Sequence, residues 1–187
     1  PYADVPQDKY AYYKRQRIAA DVFPPTPGHP HAPRPDADLL ARVYAMIENI
    51  DDNVGRLDDW LARTGLAQNT VVIYLTDNGE ATAGYNAGLL GQKSDVYEGG
   101  IRSPLLVRWP PRLKPRLVKK HVAAHIDLAP TILDACGVKP PPSVRFDGRS
   151  LLPLLAGDAP WPERTLFFQA HRGDVPVAGH NAAVRTD

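Results

Sequence analysis

The chain has 187 residues, 43% of them apolar, enough to bury a core and the length of one domain or one and a part. A formal net charge of +1, from 22 basic and 21 acidic residues, builds no one-signed field for nucleic acid or a charged membrane surface. A single cysteine, Cys136, excludes an internal disulfide, and no run of about 20 apolar residues offers a spanning helix.

The chain begins on Pro1 and ends on NAAVRTD, where a strand starts, so both ends are expected to be cut. Without a native start, a missing targeting signal carries no information about compartment. Residues 1–23 hold tyrosines and bases and predict a short helix after Pro6. Residues 24–35, PPTPGHPHAPRP, predict an irregular connector. Its His29 and His31 have no third ligand near them and read as solvated loop residues rather than metal ligands.

The clearest helix follows. Asp36 or Asp38 offers an N-cap. Leu39, Leu40, Val43, Ile47, Ile50, Val54, Leu57 and Leu61 recur at the three-four spacing of one buried face. Gly65 closes the helix just past its end. The acids Glu48, Asp51, Asp52, Asp58 and Asp59 read as a solvated outer face rather than a metal cluster.

Residues 70–76, TVVIYLT, are β-branched and continuously apolar, the pattern of a strand buried on both faces in a parallel sheet. Helix, glycine turn and strand together predict an α/β unit. PLLVRWP over 104–110 predicts a second strand and VKKHVAA over 118–124 a weaker third. Asp127 is expected to cap a helix over LAPTILDAC, with Pro130 tolerated in its first turn and Gly137 ending it. Residues 138–163 read as proline-rich loop, 164–171 as a strand, and AAVRT as the start of another.

Between the first two strands runs TDNGEATAGYNAGLLGQKSDVYEGGIRSP, residues 76–104. Asp77, Asn78 and Gly79 lie just past a strand's carboxyl end, where open α/β sheets bind ligands. A carboxylate beside an amide oxygen makes a pair of hard donors suited to calcium or magnesium. Gly79 would let the backbone turn so that both face one ion. Asp-Asn-Gly is equally an ordinary turn, and on the tripeptide alone the turn reading stands first. Lys93 shares the loop, and loops this long in a compact domain are usually functional. A cation beside a metal at a sheet edge suits a tetrahedral oxyanion, neutralising charge that grows on phosphoryl or sulfuryl oxygens.

YLTDNGE, YNAGLLGQKSDVYEGGIRSPLLVRWP and HIDLAPTILDACGV resemble the sulfatase family of the alkaline-phosphatase-like superfamily. VYAMIENIDDNVGRLDDWL is similar to the family's helix before the metal strand, and FDGRSLLPLLAG to its later loop. The resemblance implies that Asp77 and Asn78 bind a divalent cation, usually calcium, with magnesium or manganese as alternatives. It implies that Lys93 contacts the substrate sulfate and serves catalysis. Glu98, Gly99, Gly100 and Arg102 match a structural segment, the glycines for turns and Arg102 for holding the loop. The implied fold is α/β, a mostly parallel sheet between helices followed by a small antiparallel C-terminal subdomain. Residues 1–158 would be the C-terminal part of the catalytic domain and 159–187 the start of that subdomain. The implied partner is a sulfated small molecule or glycan, with no nucleic acid and no membrane span. Oligomeric state stays open, and the resemblance implies a periplasmic or secreted protein.

The departures from the family pattern are as informative. Sulfatases use a formylglycine made from Cys or Ser in C/S-x-P-x-R, and that motif does not occur in this sequence. Cys136 stands in CGVKP, and Ser103 is followed directly by Pro104. The family's two further metal-binding Asp residues, its active-site histidine and its second lysine have no match before residue 40. Leu90 and Gln92 stand where relatives often carry Arg and Trp. The chain is therefore expected to be a sulfatase fragment, inactive alone, with the formylglycine supplied by the missing part. Two alternatives remain: a phosphate- or phosphonate-ester hydrolase of the same superfamily, and a non-catalytic domain that binds a cation or a partner.

Overall fold

Pro6 opens helix α1 (Gln7–Arg15) with its φ of −55°, and the Tyr10 amide bonds the Pro6 carbonyl at 2.9 Å. The computed structural model describes residues 2–16, 18, 36–81, 86–115, 121–157, 160–171, 173–175 and 177–186. His29 and His31 lie outside the described residues.

Helix α2 (Ala37–Arg63) starts and stops as its sequence predicts. The Asp36 carboxylate accepts from the Leu39 amide at 2.6 Å, and Gly65 takes a φ of +75° past the end. Helix α1 is fastened to α2 by polar contacts. Lys9 bridges Glu48 at 2.7 Å and Asp52 at 2.6 Å, and those bonds, to Asp52 first, raise its pKa well above the usual lysine value. The Tyr10 hydroxyl donates to Asp38, which also pairs with Arg42 at 2.8 Å. Tyr10 first, then Arg42 and Lys14, hold the Asp38 carboxyl well below the usual carboxylate range. Glu48 and Asp52, expected on a merely solvated face, thus hold α1 in place.

The apolar face of α2 is only partly covered. Leu40, Ala41, Ala45 and Leu61 are buried, but Ile47 is 54% exposed, and Ile50 and Leu57 are exposed too. The main packing partners of α2 are α1 and the 3-10 turn Leu66–Asn69 at its end, which leaves the stripe between them open.

Strands β1 (Val72–Leu75) and β2 (Leu105–Arg108) pair antiparallel, Val72 opposite Arg108 and Leu75 opposite Leu105. The expected parallel pairing is not seen among the described residues. Parallel neighbours need a crossover that carries the chain back to the far end of the first strand, usually a helix of several turns. Among the described residues between β1 and β2 the only helix is the single turn α3 (Glu98–Ile101), and the chain simply reverses. Strand β1 is half-buried at all four positions, not buried on both faces.

Of the strand expected over 118–124, residues 118–120 lie outside the described residues and 121–124 are not strand. Helix α4 (Leu128–Ala135) ends as predicted near Gly137, φ +66°. Asp127 holds the N-cap position as expected, but its side chain makes no capping bond to α4. That residue closes the 3-10 turn His125–Asp127 in helical conformation, and its side chain is used elsewhere. It accepts from the Ala124 amide at 2.8 Å and the Arg149 amide at 2.9 Å, and pairs with the Arg164 guanidinium. The region predicted as loop contains helix α5 (Leu152–Ala156), with Pro153 in its first turn and Gly157 at φ +93° ending it. Strands β3 (Thr165–Gln169) and β4 (Ala182–Thr186) pair as a second sheet. By packing, the chain forms two units: Pro1–Arg108 with Phe168–Ala183, and Trp109–Phe167 with Val184–Asp187.

Candidate active site

Strand β1 delivers Asp77, Asn78 and Gly79 just past its end. The Thr76 hydroxyl donates to the Asn78 carbonyl at 2.9 Å, which tightens the turn. Asn78 is half-buried, and its side-chain nitrogen donates to the Gly79 carbonyl at 3.0 Å. The amide oxygen is then the atom left for a ligand. Asp77 is exposed, and its carboxylate has no hydrogen bond or ion pair among the described residues.

Gly79 serves a different purpose from the one its sequence suggests. Its φ is not left-handed; instead a Cβ there would sit 1.8 Å from the Gly99 carbonyl oxygen. Its amide donates to the Gly100 carbonyl at 2.8 Å. The same correction applies to Gly99 and Gly100, expected to serve turns. Neither has a positive φ. A Cβ on Gly99 would lie 2.3 Å from the Gly91 carbonyl oxygen, and one on Gly100 would lie 2.3 Å from that of Asp95. The three glycines let backbone pack on backbone, and this builds a stiff floor under the Asp77–Asn78 turn.

That floor also returns the loop. The Gly99 amide bonds the Leu90 carbonyl at 2.7 Å, and the Lys93 amide bonds the Glu80 carbonyl at 2.7 Å. Lys93 is thereby brought alongside the residue two places beyond Asn78. Its side chain is exposed, and its ammonium has no ion pair among the described residues. Arg102 pairs with Glu98 at 3.5 Å within the turn of α3, and its amide bonds the Glu98 carbonyl at 2.8 Å.

Asn86 and Asp95 were not singled out in the sequence. The Asn86 side chain donates to the carbonyls of Leu89 at 2.5 Å and Gly91 at 3.2 Å; the Asp95 carboxylate accepts from the Gln92 amide at 2.9 Å. Their signal was a short polar side chain within a glycine-bearing loop, the composition of self-bonding turns.

Asp77 and Asn78 together offer two hard oxygens with no competing partner, a donor set that fits calcium or magnesium. Calcium takes about six to eight oxygens, and no group of three or more His, Cys, Asp or Glu is placed to hold a metal among the described residues. Two donors alone would leave most of such a shell to other groups or to water.

Strand β1 thus ends in a pair of hard oxygen donors, and the loop that carries Lys93 returns through a backbone bond to Glu80. The profile of the sulfatase family, the sulfuric ester hydrolases, matches residues 2–138, and the chain belongs to that family. It is 40% identical to arylsulfatase A of Homo sapiens, over 64% of this chain and 24% of that protein. Among solved structures it resembles BT4656, determined in complex with its substrate D-glucosamine-2-N,6-O-disulfate, with a TM-score of 0.62 and 28% identity. That match covers 80% of this chain and 30% of the other. A phosphonate monoester hydrolase from Silicibacter pomeroyi matches with a TM-score of 0.59 and 27% identity, over 92% of this chain and 35% of the other. The chain spans 20 to 35% of the length of the curated relatives it matches. The solved structures it resembles include sulfatases, which have the alkaline-phosphatase-like fold, and the chain matches about a third of their length. No described helix is long and apolar enough to cross a membrane.

Proposed function

We propose that these residues form one side of the active site of a sulfatase that hydrolyses a sulfate ester on a small molecule or glycan. The observation that supports this reading is the Lys93–Glu80 backbone bond, which brings the lysine's backbone to a residue two places beyond Asn78. Asp77 and Asn78 hold a divalent cation, calcium first, and such an ion supplies Lewis-acid polarisation of a sulfuryl oxygen. Lys93 meets a second oxygen with a point charge and stabilises the negative charge that builds there as the ester bond breaks. The glycine-packed floor keeps both from reorganising during the reaction, which is what makes such charges effective.

The residues present do not fit a formylglycine. C/S-x-P-x-R does not occur, and Cys136 is an exposed residue at the end of α4. The nucleophile and the remaining metal ligands are proposed to lie outside these 187 residues. In the complete catalytic domain β1 belongs to a mostly parallel sheet, and 159–187 begin the small C-terminal subdomain. A periplasmic or secreted location is proposed with it.

A second reading, phosphonate-ester hydrolysis, is favoured by the likeness to the Silicibacter pomeroyi enzyme. Aryl sulfate and aryl phosphonate offered in parallel to a catalytic domain containing these residues separate the two. Faster turnover of the sulfate supports the sulfatase reading; faster turnover of the phosphonate replaces it.

A further inference from the structure

Lys93 is followed by Ser94, whose φ of +79° lies in the left-handed region that serine enters at a cost. A turn of this kind persists when its surroundings over-determine it. One restraint is local, the Lys93–Glu80 bond already described. The other comes from 87 residues away. The side-chain nitrogen of Asn181 donates to the Ser94 carbonyl oxygen at 3.1 Å and to the Ala170 carbonyl oxygen at 3.1 Å. The Ala170 amide in turn bonds the Asn181 carbonyl at 3.0 Å. All three residues belong to the unit of Pro1–Arg108 with Phe168–Ala183.

Asn181 is suited to the task in two ways. Its own φ is +46°, a region that asparagine tolerates better than most residues. Its amide carries two protons, and two carbonyls receive them. One carbonyl sits just past β3, the other in the lysine loop. Aspartate would fit the backbone but has no proton to donate. Alanine would resist the φ and make neither bond.

We infer that Asn181 is a positioning residue for Lys93: by gripping the carbonyl of Ser94 it sets where the lysine side chain leaves the loop. The inference rests on the reading of Lys93 as a contact to a sulfuryl oxygen. A lysine stem is flexible, so the backbone anchor decides which volume the ammonium samples. Without the grip, Ser94 is free to relax toward negative φ, and the ammonium spreads over a larger volume.

The test uses the 187-residue chain and inorganic sulfate as probe. Amide exchange and sulfate-induced chemical shifts are followed by NMR in the native chain, Asn181→Gly, Asn181→Asp and Lys93→Ala. Asn181→Gly keeps the left-handed backbone accessible and removes only the donor. Losing such bonds should speed exchange at Lys93 and Asp95 about 3- to 10-fold, with α2 amides unchanged. The sulfate concentration that half-shifts the Lys93 signals should rise with it. Unchanged exchange overturns the inference, and so does faster exchange with an unaltered sulfate response, because Asn181 would then be only a fold contact. If α2 loses protection in Asn181→Gly, Asn181→Asp is read by the same two criteria. A sulfate response that survives in Lys93→Ala defeats the reading of Lys93 itself, while the exchange arm still decides whether Asn181 holds the loop.

Discussion

Asp77 and Asp127 are the same side chain put to opposite uses. Asp127 is 0% exposed and saturated, with the Ala124 and Arg149 amides and the Arg164 guanidinium on its two oxygens. Burial pushes its carboxyl up, but Arg164 and the two amides together outweigh burial and hold it below the usual carboxylate range. Asp77 stands exposed on a turn whose backbone is clamped by Gly79, Gly99 and Gly100, and nothing described binds its carboxylate. Where every acceptor site of a carboxylate is filled from within, the group serves the fold. Where a rigid floor holds one up unfilled, it is available to a ligand.

The largest effect should come from breaking the filled site. Arg164 is 6% exposed at its side chain, so Arg164→Ala leaves Asp127 buried without its counter-charge. Loss of one partner of such a pair costs about 3–5 kcal/mol, readable by urea denaturation. A loss below about 1 kcal/mol, the range of surface pairs, would place Asp127 among ordinary surface carboxylates.

Gly79→Ala should come next. Its Cβ would fall 1.8 Å from the Gly99 carbonyl oxygen, so backbone must move. Overpacking of this kind costs about 1–3 kcal/mol, and exchange at the Lys93 amide should rise with it. A neutral result would mean that the floor under Asp77 is soft.

The pH dependence sharpens the contrast further. The folded pKa of Asp127 lies below its unfolded value, so its contribution is complete above about pH 4, the unfolded carboxylate range, and is lost as pH falls through the folded value. In an Asp127→Asn variant that part of the acid destabilisation should disappear. An unchanged acid limb in urea titrations would contradict the pairing.

Much of this was legible in the sequence where the cause is local. Asp36 and Gly65 bound α2 through contacts within a few residues, and Asp77, Asn78 and Lys93 stand out because they interrupt an apolar and glycine-rich stretch. Causes acting over distance were not legible. Asp127 before an apolar run looks like a helix cap, but its donors include Arg149 and Arg164, 22 and 37 residues on. The spacing of Ile47, Ile50 and Leu57 marks one helix face without saying whether anything covers it. Strand direction depends on what lies between β1 and β2, not on the strands themselves. Gly79 reads as a turn residue because the carbonyl it must clear belongs to Gly99.

Asp77→Ala should be the smallest stability change, within ~0.5 kcal/mol. Calcium binding, weak in this chain because two ligands leave most oxygens to water, should be lost in calorimetric titration. Retained calcium would make Asp77 a turn residue only.

The most direct measurement is aryl-sulfate turnover beside thermal unfolding for a catalytic domain that contains these residues, native and Lys93→Ala. Lysine as a point charge on a sulfuryl oxygen predicts a fall on the order of 10²-fold in turnover with an unchanged unfolding midpoint, and incomplete rescue by Lys93→Arg, whose planar fork is wider. Native turnover in Lys93→Ala would contradict the site, and early unfolding would make Lys93 a structural residue.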